Sequence, residues 1–283
     1  MKNFFSLVKF SHTVFALPFA LIGFFLAVFH HQYSFSWFTF LLVILCMVFA
    51  RSAAMAFNRY ADEYIDRQNP RTAKREIPAG IVSRHSALLF VIANALLFII
   101  TTYFINTLCF VLSPVALLVV LGYSYTKRFT SLSHLVLGLG LSLAPIGAYL
   151  AVTEQFHILP LFYSFAVLFW VAGFDIIYAL QDDDFDREEN LYSLPAMLGR
   201  KKALLLSGAM HVISASFVII AGFYADFGLW YWTGAAVFLV LLIYQHTLVK
   251  PDDLSRVNVA FFTTNGMASI IFATTVILDL WLS

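Results

Sequence analysis

NRYADEYIDRQNPRTAKREIPAG, from Asn58 to Gly80, is a charged island between two apolar runs near 37–57 and 86–106. A hydrocarbon core demands roughly 20 apolar residues per crossing helix, and both runs meet that length. A second island, DIIYALQDDDFDREENLYSLPAMLG from Asp175 to Gly199, lies between runs near 160–180 and 203–223. Five further runs, near 12–30, 108–124, 131–151, 229–248 and 259–281, bring the expected total to nine. The reading is an all-α polytopic membrane protein, a bundle of nine transmembrane helices forming one domain over residues 1–283.

Composition points the same way. Of 283 residues, 61% are hydrophobic and 12% charged, whereas soluble domains carry about 25% charged residues. The first run is too long for a signal h-region and lacks an A-x-A exit, so it is expected to stay as a span. Cys46 and Cys109 lie inside apolar runs with no C-x-x-C or zinc-like spacing, which indicates packing residues. Gly138, Gly140 and Gly147, with Pro145, suit close helix approach or a kink in the fifth run.

The charges give an independent test, because cytoplasmic loops collect Lys and Arg. With the N-terminus inside, every one of the 17 basic residues falls in an inner segment, from Lys2 and Lys9 to Lys250 and Arg256. The outer segments HHQYSFSW, INT, TEQFHI, YADFG and LS hold none. A miscount by one span would scramble this segregation, so a cytoplasmic N-terminus follows, with both islands on the cytoplasmic face.

Within the islands, Asn58, Asp62 and Asp66 are spaced four apart, and so are Tyr178, Asp182 and Asp186. Residues at i, i+4 and i+8 share one helical stripe, so each island is expected to aim its oxygens in one direction, and both stripes toward one cavity. The two series are offset by 120 residues, with four helices in the interval, as in a pair of parallel repeats. Oxygen-only donors suit a hard cation, and Mg²⁺ is typically held by one or two carboxylates together with substrate phosphate. Ordinary loop polarity is the plainer explanation of such acids. Against it stands Asp175, inside the sixth run, where an ionised carboxylate costs about 3 kcal/mol and ordinarily faces a polar cavity.

The N-x-x-x-D-x-x-x-D and D-x-x-x-D patterns resemble those of the UbiA superfamily of intramembrane prenyltransferases, and the likeness covers most of the chain. The resemblance implies transfer of a polyprenyl group from a polyprenyl diphosphate, in the lipid bilayer, to an acceptor that is often aromatic. It implies Mg²⁺ held by Asn58, Asp62 and Asp66 and by Asp182 and Asp186, with Asp175 and Tyr178 near the reacting groups. Arg71 and Arg75, and less so Lys74, Lys201 and Lys202, would take the outer phosphate oxygens; the same bases also serve topology. Tyr178 would offer π-density to an allylic cation.

KFSHTVFALPFALIG, from Lys9, and LYSLPAMLG, from Leu191, are similar to the branch that prenylates aromatic acids such as 4-hydroxybenzoate in ubiquinone or menaquinone synthesis. In that branch a basic residue meets the acceptor carboxylate where Lys127 and Arg128 stand here. Arg59, Glu76 and Gln181 depart from the family pattern, which leaves 1,4-dihydroxy-6-naphthoate, as in the futalosine route, or a non-carboxylate acceptor as alternatives. DDDFD also fits the D-D-x-x-D of soluble isoprenyl diphosphate synthases, but the lipid-length runs exclude that fold. A cation-dependent transporter is the reading from another class; its acids would line a through-path, whereas these gather at one face. The expected home is a bacterial-type inner membrane, with the active site cytoplasmic and no nucleic-acid partner.

Overall fold

The computed structural model describes residues 2–8 and 15–283. Lys9 and the rest of 9–14, which hold the start of the first predicted run and of the KFSHTV segment, lie outside the described residues. In chain order the helices are α1 (Lys2–Leu7), α2 (Leu17–Phe25, continued as a π-helical turn Leu26–His30), α3 (Trp37–Ala61) and α4 (Glu63–Gln68). Then come α5 (Arg84–Ile105), α6 (Thr107–Thr126), α7 (Ser133–Thr153), α8 (Ile158–Ala179), α9 (Asp183–Glu188) and α10 (Leu194–Leu198). The last are α11 (Arg200–Tyr224), α12 (Leu229–Leu248) and α13 (Asn265–Leu282), which a π-helical stretch, Val259–Thr264, precedes.

The fold is all-helical, and among the described residues eight helices are long and apolar enough to span a membrane. They coincide with eight of the predicted runs. The remaining run, 12–30, is represented by the shorter apolar helix Leu17–His30.

The helices cluster into two compact units. In the first, which comprises residues 1–13 and Trp37–Tyr125, α3 packs along α5. Leu7 and Val8 meet Ala56, Ile77 and Val91 in its small core. Large apolar side chains such as Leu118 and Phe104 face outward, as lipid contact requires.

In the second unit, residues 14–36 with Thr126–Ser283, α8 is the central element, packed by α7 and α11. Trp170, Tyr163, Phe238 and Phe272 fill its core. Lipid tails are as apolar as these side chains, so close packing and buried hydrogen bonds hold such helices together. A Cβ on Gly138 would overlap the carbonyl of Leu168, and one on Gly23 that of Pro145, so glycine sets the approach of α7 to α8 and of α2 to α7. Gly147, grouped with them from sequence, faces open space. Ser207 and Ser214 on α11 donate to the Gly173 and Ala166 carbonyls of α8 at 2.7 and 2.8 Å. Asp279 on α13 accepts from Gly228, Trp230 and Tyr231 N–H at 2.8–3.2 Å and so caps the start of α12.

Candidate functional site

Each carboxylate motif sits where a membrane helix breaks. α3 runs through Asn58 to Ala61, Asp62 interrupts it at φ −92°, ψ 6°, and the chain winds again as the six-residue α4. α8 ends at Ala179, and Asp182, at φ −115°, ψ 6°, precedes the six-residue α9. That bridge region of backbone space is sparsely populated and recurs at active sites. A continuous helical stripe was the expectation from spacing, and the break corrects it. Bonds of i to i+4 survive around the first break, with Asp62 N–H on Asn58 O at 2.9 Å and Asp66 N–H on Asp62 O at 2.7 Å. At the second break the turn tightens, since Asp182 N–H bonds Ala179 O at 3.1 Å, before Asp186 N–H reaches Asp182 O at 2.7 Å. The 120-residue offset thus relates matching local structures.

In the first motif Asp62 and Asp66 are both buried. Asn58 Nδ2 donates to Asp62 Oδ2 at 3.2 Å, which turns the amide oxygen away from that contact. Beyond α4, Asn69 Oδ1 accepts Arg71 N–H at 2.9 Å, an Asx turn at the Asn-Pro step that folds the chain back. Thr72 Oγ1 then donates to Asp66 O at 3.0 Å, and Arg75 Nη1 reaches Asp66 Oδ1 at 2.6 Å. Arg59 Nη1 stands 4.0 Å from Asp66 Oδ2, an atom that is buried and accepts no hydrogen bond among the described residues. Arg71 itself is exposed. On the far side of α4, Glu63 pairs with Arg67 at 3.0 Å and Arg84 at 2.8 Å, and Arg84 lies over the Tyr60 ring. Glu76, noted as a departure from the family pattern, is buried against the Ser6 hydroxyl.

The second motif has a different support. Asp183 is buried and receives a fork from Arg200, Nε to Oδ2 at 2.8 Å and Nη2 to Oδ1 at 2.7 Å. The second aspartate of DDDFD is therefore an anchor between α9 and α11, with Asp182 and Asp186 on either side of it. Ser193 caps α10 and hydrogen-bonds Asp186. Burial pushes the Asp186 carboxyl above its ordinary range, and the Ser193 bond and the nearby Lys127 and His134 oppose the rise that Asp182 adds to. Tyr192 N–H bonds Lys127 O at 2.8 Å, tying this loop to the segment that leads into α7. Tyr178 is half-buried, its ring centroid 4.2 Å from that of Phe261. Arg128 is exposed.

Asp175 was expected to face a cavity, and its partner is a histidine: His134 Nδ1 lies 2.7 Å from Asp175 Oδ2. His134, Ser193, Arg200 and Phe261 are neighbours of the motif that sequence reasoning missed. Only the need of a membrane-depth aspartate for a polar partner pointed toward the first of them.

A family model for the UbiA prenyltransferase family matches residues 16–267, a span that runs through both units. The chain belongs to the UbiA prenyltransferase family. It is a multi-pass membrane prenyltransferase, which decides between enzyme and transporter. The 4-hydroxybenzoate octaprenyltransferase of Nitrosomonas eutropha is 32% identical over 232 residues, 81% of this chain and 80% of that protein. The Aliivibrio fischeri enzyme of the same name is 28% identical over 83% of this chain and 82% of its own. Among solved structures, the apo form of a UbiA homolog from Aeropyrum pernix K1 is 36% identical, with a TM-score of 0.86 over 95% of this chain and 98% of that one. A UbiA homolog from Archaeoglobus fulgidus, solved with GPP and Mg²⁺, has a TM-score of 0.78 over 99% of both chains at 19% identity, a likeness of fold alone.

Proposed function

We propose that this UbiA-family enzyme transfers a polyprenyl group from polyprenyl diphosphate to 4-hydroxybenzoate, with Mg²⁺ as cofactor. The observation that carries the metal assignment is Asp66: a buried carboxylate with Oδ2 outside any hydrogen bond, beside Asp62 and Asn58, is an oxygen donor set that fits Mg²⁺. Asp182 and Asp186 supply the second set. The Archaeoglobus homolog solved with GPP and Mg²⁺ supports this reading, and the names of the curated relatives support the benzoate acceptor.

Mg²⁺ bound to these carboxylates would neutralise the diphosphate and stabilise the charge it gains as the allylic C–O bond breaks. Arg75, already oriented by Asp66, and Arg71 on the same turn hold outer phosphate oxygens. Lys127, whose charge acts on Asp186, serves the diphosphate end. Arg128 takes the acceptor carboxylate, for which a planar fork is suited. Tyr178, steadied by Phe261, presents its ring to the allylic carbon. Asp175 acts through His134 on the loop of the second motif. The segregation of basic residues supports a cytoplasmic active site in the bacterial inner membrane.

The test is reconstitution in nanodiscs with a polyprenyl diphosphate, Mg²⁺ and either 4-hydroxybenzoate or 1,4-dihydroxy-6-naphthoate, with products read by mass spectrometry. Prenylated hydroxybenzoate is expected. Product from the naphthoate alone moves the enzyme to the other acceptor, and product from neither overturns the aromatic-acid reading.

A further inference from the structure

His134 stands in the first turn of α7, and both of its ring nitrogens are occupied. Nδ1 meets the Asp175 carboxylate at 2.7 Å, and Nε2 receives Leu194 N–H at 3.4 Å. A carboxylate only accepts and an amide N–H only donates, so Nδ1 donates to Asp175 and Nε2 accepts from Leu194. His134 is buried, and the Asp175 side chain is 23% exposed. The pair therefore joins the end of α8 to the first residue of α10 and the segment that leads into it.

That segment carries Ser193. Its hydroxyl accepts Ala196 N–H at 3.4 Å and hydrogen-bonds Asp186. Asp186 is otherwise placed by α9, a helix too short to hold a carboxylate rigidly by itself. We propose that His134 is a positioning residue for the second carboxylate motif: held by Asp175, it pins Leu194 N–H and with it the Ser193 hydroxyl that aims Asp186. The arrangement is an Asp–His relay ending on backbone, and the histidine works by geometry. Outer groups of this kind typically set metal affinity within about 10- to 100-fold.

The inference rests on Asp186 being a metal ligand, and its experiment separates the two ideas. Full-length protein in nanodiscs carries D62N and D66N, so that Mn²⁺ has only the second pair, and Mn²⁺ binding is read by EPR. Hydrogen exchange of the 190–199 segment is followed in parallel. H134L is expected to weaken Mn²⁺ binding by about tenfold or more and to speed exchange at Leu194. H134Q, whose amide can donate to Asp175 and accept from Leu194, is expected to retain both properties. Should H134L not accumulate, S193A removes the hydroxyl alone and is expected to weaken Mn²⁺ binding at unchanged thermal stability. Unaltered Mn²⁺ affinity in H134L and S193A, with D186N abolishing binding, overturns the positioning role and leaves the metal reading standing. Wild-type affinity in D186N overturns the metal reading, and the inference with it.

Discussion

Arg75 Nη1 lies 2.6 Å from Asp66 Oδ1, while the other oxygen of that carboxylate is buried and accepts no hydrogen bond among the described residues. One half of Asp66 is thus charge-compensated by a side chain nine residues away, and the other half, 4.0 Å from Arg59 Nη1, is the half proposed for the cation. The arginine is pre-oriented by the residue it would share with the metal site. A charge-assisted bond of this type is worth about 1.5–3 kcal/mol, so R75A is expected to raise the KM for polyprenyl diphosphate by roughly 10- to 100-fold. R75K keeps the charge but not the fork and should fall between. An unchanged donor KM in R75A would assign Arg75 to stability alone.

Asp62 and Asp182 hold equivalent places at the two helix breaks, so D62N and D182N remove charge while keeping shape. Each is expected to slow transfer by at least about 10²-fold, since several kcal/mol of charge stabilisation passes through the metal. Initial rates against Mg²⁺ concentration check this. Retained turnover in both variants removes the metal role.

The aromatic acid offers a separate test. R128A is expected to raise the KM for 4-hydroxybenzoate and leave that for the prenyl donor unchanged, because the guanidinium is assigned to the carboxylate alone. Steady-state kinetics with each substrate varied in turn decides it; a rise in donor KM would move Arg128 to the diphosphate.

Asp183 is 3% exposed and depends on Arg200. R200A leaves that carboxylate buried without its fork, and the expected loss is about 2 kcal/mol, the lower part of the range for breaking such a pair, because Arg200 is partly solvated and Arg187 lies 3.8 Å from Asp183. The double variant D183A/R200A should recover part of the loss, since no unpaired charge remains. Thermal unfolding in detergent measures both. Equal Tm values for R200A and the wild type would show the anchor to be dispensable.

His31, just past the end of α2, has its imidazole held below the ordinary value of 6.5, first by burial and then by the neighbouring His30 and His157. The folded state disfavours its protonation, so its contribution is complete above pH 6.5 and is lost as pH falls from there through the lower folded value. Stability is expected to decline on acidification below that point, and H31Q should flatten the decline. Unfolding temperatures between neutral and mildly acidic pH test it; identical slopes would remove His31 as a contributor.

Much of this protein was legible without coordinates. Helix positions follow from apolar runs, which are local facts of length and hydropathy. Eight of them are helices of spanning length in the structure. The carboxylate spacing and its 120-residue repeat were equally plain, and they led to the family that the comparisons show.

Tertiary structure alone decided where the helices stop and which partner each charge takes. Spacing predicted unbroken stripes, but Asp62 and Asp182 leave helical geometry. Asp175 meets His134 across 41 residues, and Asp183 meets Arg200 across 17. No periodicity encodes such pairs, because a buried charge is satisfied by whatever donor the packing of separate helices brings within about 3 Å. Hydropathy is a property of each segment taken singly, so a linear reading places the segments. Pairing is a property of two segments at once, and only the folded chain supplies it.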